Sequence, residues 1–379
     1  EVAIAADIRM KGGKILADSM DSITFLTMDE SNDSFLFCKG TNGAYPAMIV
    51  ADGRALQTEF QTPEGTASFT ETEEEHTWYL TIGGVRITGA SVHLGADLAV
   101  RYYVKIPDAW LEKIGTVSMR FTINGRSVTV TDYRVIDGEY VFTFTGIAPQ
   151  EMSDRIDAVV LADGKECAAR SGYSIRDNCR NLLEKSAAEL GLSEGKYTAM
   201  RTLISDLLTY GAAAQEYRNW HTETPATAGV SGLQPSDAAP DQTWNMTMST
   251  TDEEHLRFLS AAVYFSTANS ICIRFRADVT EKESVVLRIG DKTFPLSGLV
   301  LTGENEYRVV LSNLPATAFG EKYTLELVQA GTVVATLTYS VNAYASAILG
   351  AAESSDGMKE LALTLYRYGM SAAAYASAQ

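Results

Sequence analysis

The chain has 379 residues, enough for two or three domains with separate cores, and its 46% hydrophobic and 21% charged content is ordinary for a soluble globular protein. No stretch approaches the roughly 20 consecutive apolar residues that span a bilayer. With 48 acidic against 31 basic side chains the formal charge is −17, which repels polyanions and excludes nucleic acid as a partner; otherwise such acidity serves solubility.

The chain opens at Glu1 rather than Met and carries no basic-then-apolar leader, as expected of an exported protein after signal removal or of a trimmed chain. Over residues 1–85, Ile23-Thr-Phe25, Phe35-Leu-Phe37 and Trp78-Tyr-Leu80 read as strands, with Asn42-Gly43 and Asp52-Gly53 as turns. A separate small N-terminal β-domain is expected there. Asp29-Glu30-Ser31-Asn32-Asp33 offers oxygen ligands for calcium, yet Ser34 stands where an EF-hand needs Gly and Gly40 where it needs Glu. It reads as a polar hairpin loop, and Glu71-Thr-Glu73-Glu74-Glu75 as a solvated turn or strand edge.

From residue 86 the pattern is period two: Leu98, Val100, Tyr102 and Val104 alternate with other residues. Phe121-Thr-Ile123 meets Asn124-Gly125, a two-residue hairpin signal, and Asp163-Gly164 marks another turn. About seven short strands at this spacing predict an antiparallel, immunoglobulin-like sandwich. A short helix opening at Tyr173-Ser-Ile-Arg-Asp and a longer one through Met200–Tyr217 then predict an αα-hairpin.

The same succession returns after residue 256. Ile271, Ile273 and Phe275 alternate, Leu287-Arg-Ile289 meets Gly290-Asp291, Tyr307 to Ser312 matches Tyr140 to Thr145, and Ala330-Gly331 matches Asp163-Gly164. Tyr339-Ser-Val-Asn-Ala opens a helix at an offset of 166 from Tyr173, with a connection eight residues shorter. The longest match pairs Met200/Met358, Leu203/Leu361, Leu207/Leu365, Tyr210/Tyr368, Gly211/Gly369, Ala214/Ala372 and Tyr217/Tyr375 at an offset of 158. Without the glycine the spacings are 3, 4, 3, 4, 3, one apolar stripe along a helix, so the tyrosines read as packing residues. A helix-interior glycine costs about 1 kcal/mol relative to alanine; close approach of another backbone would explain retaining it twice.

The expected organisation is therefore mainly β with α (α+β): an N-terminal β-domain over 1–85, a sandwich plus αα-hairpin over 86–220, a linker over 221–255, and a second copy over 256–379. His221 to Gln242 holds Pro225, Pro235 and Pro240 without periodicity, as a semi-extended, solvated linker would. The cysteines form no CxxC pair and no ligand cluster with the scattered histidines His76, His93, His221 and His255. Val334, Ala345 and Ala99 replace Cys167, Cys179 and Cys272 in the other copy, so these thiols read as core filler; spacing does not decide whether Cys167 and Cys179 are bridged.

No GxSxG, HExxH or phosphate-binding loop appears, so no catalytic, metal or cofactor residue is assigned and a non-enzyme is expected. A hydrolase using two carboxylates is open in principle, but spacing singles out no pair. Trp110, placed in a loop after Pro107, and Tyr133, near a hairpin strand end, are candidate sugar- or peptide-stacking platforms, against the plainer reading of core-capping aromatics.

Thr88-Gly-Ala-Ser-Val-His-Leu-Gly-Ala-Asp-Leu-Ala-Val-Arg-Tyr-Tyr-Val and Tyr210-Gly-Ala-Ala-Ala-Gln-Glu-Tyr resemble modules of secreted and cell-surface proteins of Gram-positive gut anaerobes, where they accompany cell-wall attachment or adhesion domains. The resemblance covers both copies and not residues 1–85; the second copy departs from it where Met370-Ser371 replaces Ala212-Ala213. It implies export and an extracellular or cell-surface role. The expectation is an adhesion or binding protein whose partner is an extracellular protein or glycan, with an accessory carbohydrate-binding protein as the alternative.

Overall fold

The computed structural model describes residues 84–379 except 95–97, 113, 242, 265–268 and 379, and before them the backbone of strands Phe35–Phe37, Ala47–Ala51, Arg54–Gln57, Glu59–Thr62, Gly65–Glu71 and Trp78–Ile82. Cys38, His76, the Asp29–Asp33 loop and the Asn42-Gly43 and Asp52-Gly53 turns lie outside the described residues. The fold is α+β, with several antiparallel sheets and a smaller set of helices.

Two pairs of sheets share one strand order. In the first pair, Arg126–Val130, Val117–Ile123, Ile156–Ala162 and Lys165–Tyr173 lie side by side, and Tyr133–Ile136, Glu139–Phe144, Leu98–Lys105 and Arg86–Leu94 form the second sheet. In the other pair, Lys292–Pro295, Val285–Ile289, Tyr323–Gln329 and Thr332–Tyr339 follow the first order, and Val300–Gly303, Glu306–Leu311, Ser270–Ala277 and Leu256–Tyr264 the second. Each first sheet extends beyond these four strands, by three in the first pair and by one in the other. Thr247–Thr250 pairs with Thr332–Tyr339, and Trp78–Ile82 pairs with Lys165–Tyr173, Thr81 opposite Ala168. Backbone pairing therefore runs across the boundary drawn at residue 85. The turns form as their residues require: Asn124-Gly125, Asp163-Gly164 and Ala330-Gly331 all hold positive φ.

One correspondence shifts. Tyr102 pairs with Phe142, whereas Phe275 pairs with Tyr307. Matching Ala99 to Cys272 places Tyr102 with Phe275, so Phe142, not Tyr140, occupies the place of Tyr307. A two-residue slip keeps every side chain on its own face.

The chain forms two compact units, residues 1–91, 100–144 and 154–174 in one, and 92–99, 145–153 and 175–379 in the other. In the first, Phe121 meets Phe144 at 4.9 Å and Tyr102 at 5.3 Å between ring centroids, joining rings from both sheets in one core. The second holds most of the helices. Asp108–Leu111 (α1) precedes them in the chain; Ile175–Glu184 (α2), Ala187–Leu190 (α3), Glu194–Arg218 (α4), Val341–Gly350 (α5) and Asp356–Ser377 (α6) follow. Of the eight additional residues, about half lie in the first connection, which holds α3, opened by a Ser186–Glu189 capping box and closed by Gly191 in the left-handed region, and the rest start α4 one turn earlier than α6. Serines cap three more helices: Ser193 accepts from Lys196, Ser340 from Ala343 and Ser355 from Met358.

The repeated stripe is buried. Leu203, Leu207, Tyr210, Leu361, Leu365 and Tyr368 are each at most 5% exposed, and a fully buried leucine contributes roughly 1.5–3 kcal/mol. The final tyrosines leave the core: Tyr217 is exposed and Tyr375 half-buried. α4 and α6 pack antiparallel on each other. Tyr210 and Tyr368, equivalent positions, stack at 5.8 Å. Lys196 at the start of α4 donates to the carbonyls of Tyr375 and Ala378 at the end of α6, at 2.7 and 3.0 Å, supplying a cation and donors where a helix leaves carbonyls unpaired. The pair thus has approximate two-fold symmetry about the stacked tyrosines.

The two helix glycines are explained by side chains rather than by backbone. A Cβ on Gly211 would stand 2.6 Å from Met152 Sδ and 3.0 Å from Ala226 Cβ; one on Gly369 would stand 2.7 and 2.9 Å from Phe319 Cδ2 and Cβ. Met152 and Phe319 each end a short 3-10 turn, Pro149–Glu151 and Ala316–Ala318, so a like packing recurs beside both helices.

The segment after α4 is extended but not simply solvated. Ala226 N donates to Gln215 Oε1 at 2.7 Å, and Gln215 Nε2 donates to Ser153 Oγ and the Thr224 carbonyl. Gln234 N donates to Ser205 Oγ and Ser236 N to Asp206 Oδ1, both at 2.8 Å. Arg367 Nε donates to the Ala238 carbonyl, and Ala238 and Trp244 pack against Ala345, Ala362 and Tyr366. Polar side chains on α4 satisfy the backbone that a regular element would otherwise satisfy.

Cys167, Cys179 and Cys272 are free and buried, which answers the bridge question and agrees with their role as filler. Burial pushes the Cys167 and Cys179 thiols up to about 12, leaving them neutral and unreactive.

Candidate binding edge

Strand Tyr133–Ile136 is the terminal strand of its described sheet. Its register places Tyr133 opposite Phe142 and Val135 opposite Tyr140, with Tyr102 and Val104 next in the same rows. Directly opposed residues share a face, so Tyr133 and Val135 extend the rows that form the core. Cover runs out along these rows: Tyr102 and Phe142 are fully buried, while Tyr133 is 45% and Val135 58% exposed. Val128, on the terminal strand of the neighbouring sheet and opposite buried Phe121, is 47% exposed, and Ile136 on the other face is exposed too. Four apolar residues within nine positions thus face solvent beside a strand whose outer backbone edge is unpaired among the described strands, an arrangement that soluble proteins commonly blunt.

The Tyr133 ring packs on Tyr140 at 4.9 Å and Phe142 at 5.5 Å between centroids, so one side is held by the sheet and the rest is open. Trp110 lies in the one-turn helix α1 rather than in a loop, with Pro107 as its N-cap, and is half-buried. The ring neighbours of Tyr133 are sheet residues, and the two candidate aromatics sit on different elements. Val128, Val135 and Ile136 were not singled out by sequence reasoning. Their signal is a short apolar strand beside a hairpin turn, which becomes informative only when the partner sheet is known to stop short of it.

The edge can hold an extended chain by backbone hydrogen bonds and apolar contact, and it can stack a flat ligand on Tyr133. Among the described residues no group of three or more His, Cys, Asp or Glu side chains is arranged to hold a metal ion, and no helix is long and apolar enough to cross a membrane. His255 Nδ1 lies 3.1 Å from Asp252 Oδ1, within a turn where the same carboxylate accepts from His255 N; that backbone bond holds the Asp252 carboxyl below its ordinary range. No known protein-family model matches the chain, and no curated protein is significantly similar to it.

Proposed function

We propose that this chain is a non-catalytic binding or adhesion protein, exported and acting outside the cell or at its surface. It is built from tandem antiparallel sandwich modules, each followed by an αα-hairpin, with a β-rich region at its N-terminal side. The repeated strand order and the repeated glycine packing support the modular reading. The observation that carries the functional one is the apolar terminal strand Tyr133–Ile136, whose backbone edge, unpaired among the described strands, and uncovered Val135 suit capture of an extended segment of an extracellular protein by strand addition.

Solid-phase binding of the full chain to mucin, matrix proteins and glycans tests this, with Val135→Lys alongside. Retention on a protein ligand that Val135→Lys removes, at an unchanged melting temperature, is the expected result; negative results on every ligand, or retention indifferent to Val135→Lys, would sink it. The open Tyr133 ring favours a second reading, an accessory carbohydrate-binding protein with Trp110 as a further contact. In that case Tyr133→Ala abolishes retention on polysaccharide while Val135→Lys does not.

A further inference from the structure

Beside the stacked tyrosines of α4 and α6 lies a cavity of about 10 Å³, lined by residues that include Leu98, Ile147, Met152, Leu207, Tyr210 and Asn269. Apolar side chains make up most of the lining residues, and two of the polar ones, Tyr210 and Asn269, are chemically unfinished. Tyr210 Oη and Asn269 Oδ1 are buried and have no hydrogen-bond partner among the described residues. Buried polar atoms in native proteins are overwhelmingly paired, and leaving one unpaired costs its full desolvation. Met152, whose thioether also fills the space above Gly211, is an apolar part of the same wall.

We propose that this cavity is a structural water site, in which one ordered water molecule accepts a hydrogen bond from Tyr210 Oη and donates one to Asn269 Oδ1. Three independent features fit. The volume is close to the roughly 10–15 Å³ that a single water needs, and too small for any organic ligand. The two groups are complementary to a water: burial drives the Tyr210 hydroxyl pKa well up, keeping it a donor, while an amide oxygen only accepts. Lastly, Tyr210 belongs to the α4 stripe and Asn269 to the chain just before strand Ser270–Ala277. The water thereby bridges a helix of the first repeat to the strands of the second, within one compact unit.

The sign of one substitution separates a wet site from a dry one. Tyr210→Phe keeps the ring and its stacking on Tyr368 while deleting the hydroxyl. If the water is present, Tyr210→Phe loses a satisfied bond and strands its partner, so the full chain melts several degrees lower. If the hydroxyl is unpaired, the same change removes a desolvated group and the melting temperature holds or rises. Asn269→Leu and the double variant complete a cycle: a shared water makes the double variant less destabilised than the two single effects combined. A high-resolution crystal structure supplies the second readout. Density for a water within hydrogen-bond distance of both atoms supports the site. An empty cavity, a direct Tyr210–Asn269 bond, or an unchanged or raised melting temperature for Tyr210→Phe overturns it.

Discussion

Helices α4 and α6 carry the same buried stripe, yet what flanks it differs. On α4, Ser205, Asp206 and Gln215 are buried and hold the backbone of the segment that follows. At the same offset α6 has Leu363, Thr364 and Ala373, and Thr364 returns its hydroxyl to the Glu360 carbonyl of its own helix. The apolar face had to stay the same in both because each helix is the other's packing surface. The polar positions differ in what they bond: Ser205, Asp206 and Gln215 of α4 bond residues 226–236, whereas α6 bonds the same segment further on, through Arg367 to the Ala238 carbonyl. The shared positions are thus those that serve the packing of the two helices on each other, and those that differ on α4 form a clamp on the segment after it.

The largest expected effect sharpens the part that is shared. Gly369→Ala drives a Cβ into both the ring and the Cβ of Phe319, neither of which can swing clear, and should cost about 3 kcal/mol by urea unfolding. Gly211→Ala meets Met152, whose thioether can rotate, and should cost about half as much; equal costs would show that Met152 yields no more than Phe319 does. Next comes the clamp. Gln215→Leu leaves Ala226 N and Ser153 without partners and should cost about 2 kcal/mol, whereas Ala373→Leu at the matching position of α6, half-buried and unbonded to a connecting segment, should cost less.

Asp206 gives a smaller, pH-dependent effect. Desolvation raises its carboxyl above the ordinary range, against the opposing bond from Ser236 N. A raised folded-state pKa stabilises fully below the unfolded value and loses that contribution as pH rises through the folded value. Asp206→Asn, which retains an oxygen for Ser236 N, should therefore flatten the decline in stability on the alkaline side of the carboxylate range; a pH–stability curve parallel to that of the unaltered chain would contradict this. Smallest of all, Cys167→Val, which installs the residue type of the other copy, should shift stability by less than about 1.5 kcal/mol. The Cys167 and Cys179 thiols should resist alkylation until denaturant opens the fold, as read by peptide mass spectrometry.

Periodicity and turn chemistry made much of this legible. The α+β class, the helix stripe, Asn124-Gly125 and the two-fold recurrence of elements follow from residues acting over short range. What escaped depends on distant neighbours. The slip that matches Phe142 to Tyr307 is invisible to a period-two pattern, because either alignment keeps the same faces. The glycines pointed to crowding without naming Met152 or Phe319. Buried Ser205, Asp206 and Gln215 look like ordinary polar positions until the segment they bind is seen lying on them. The candidate edge was legible only at Tyr133, since Val135 reads as core until the cover above it is found to end.

The bond from Lys196 to the far end of α6 has a consequence for the order of events during synthesis. α4 leaves the ribosome with an apolar face whose complement lies more than a hundred residues downstream, so it must wait, or be shielded, until α6 is made. Contacts of such separation slow folding and leave sticky intermediates. A nascent chain halted before residue 356 should bind chaperones that the released protein ignores.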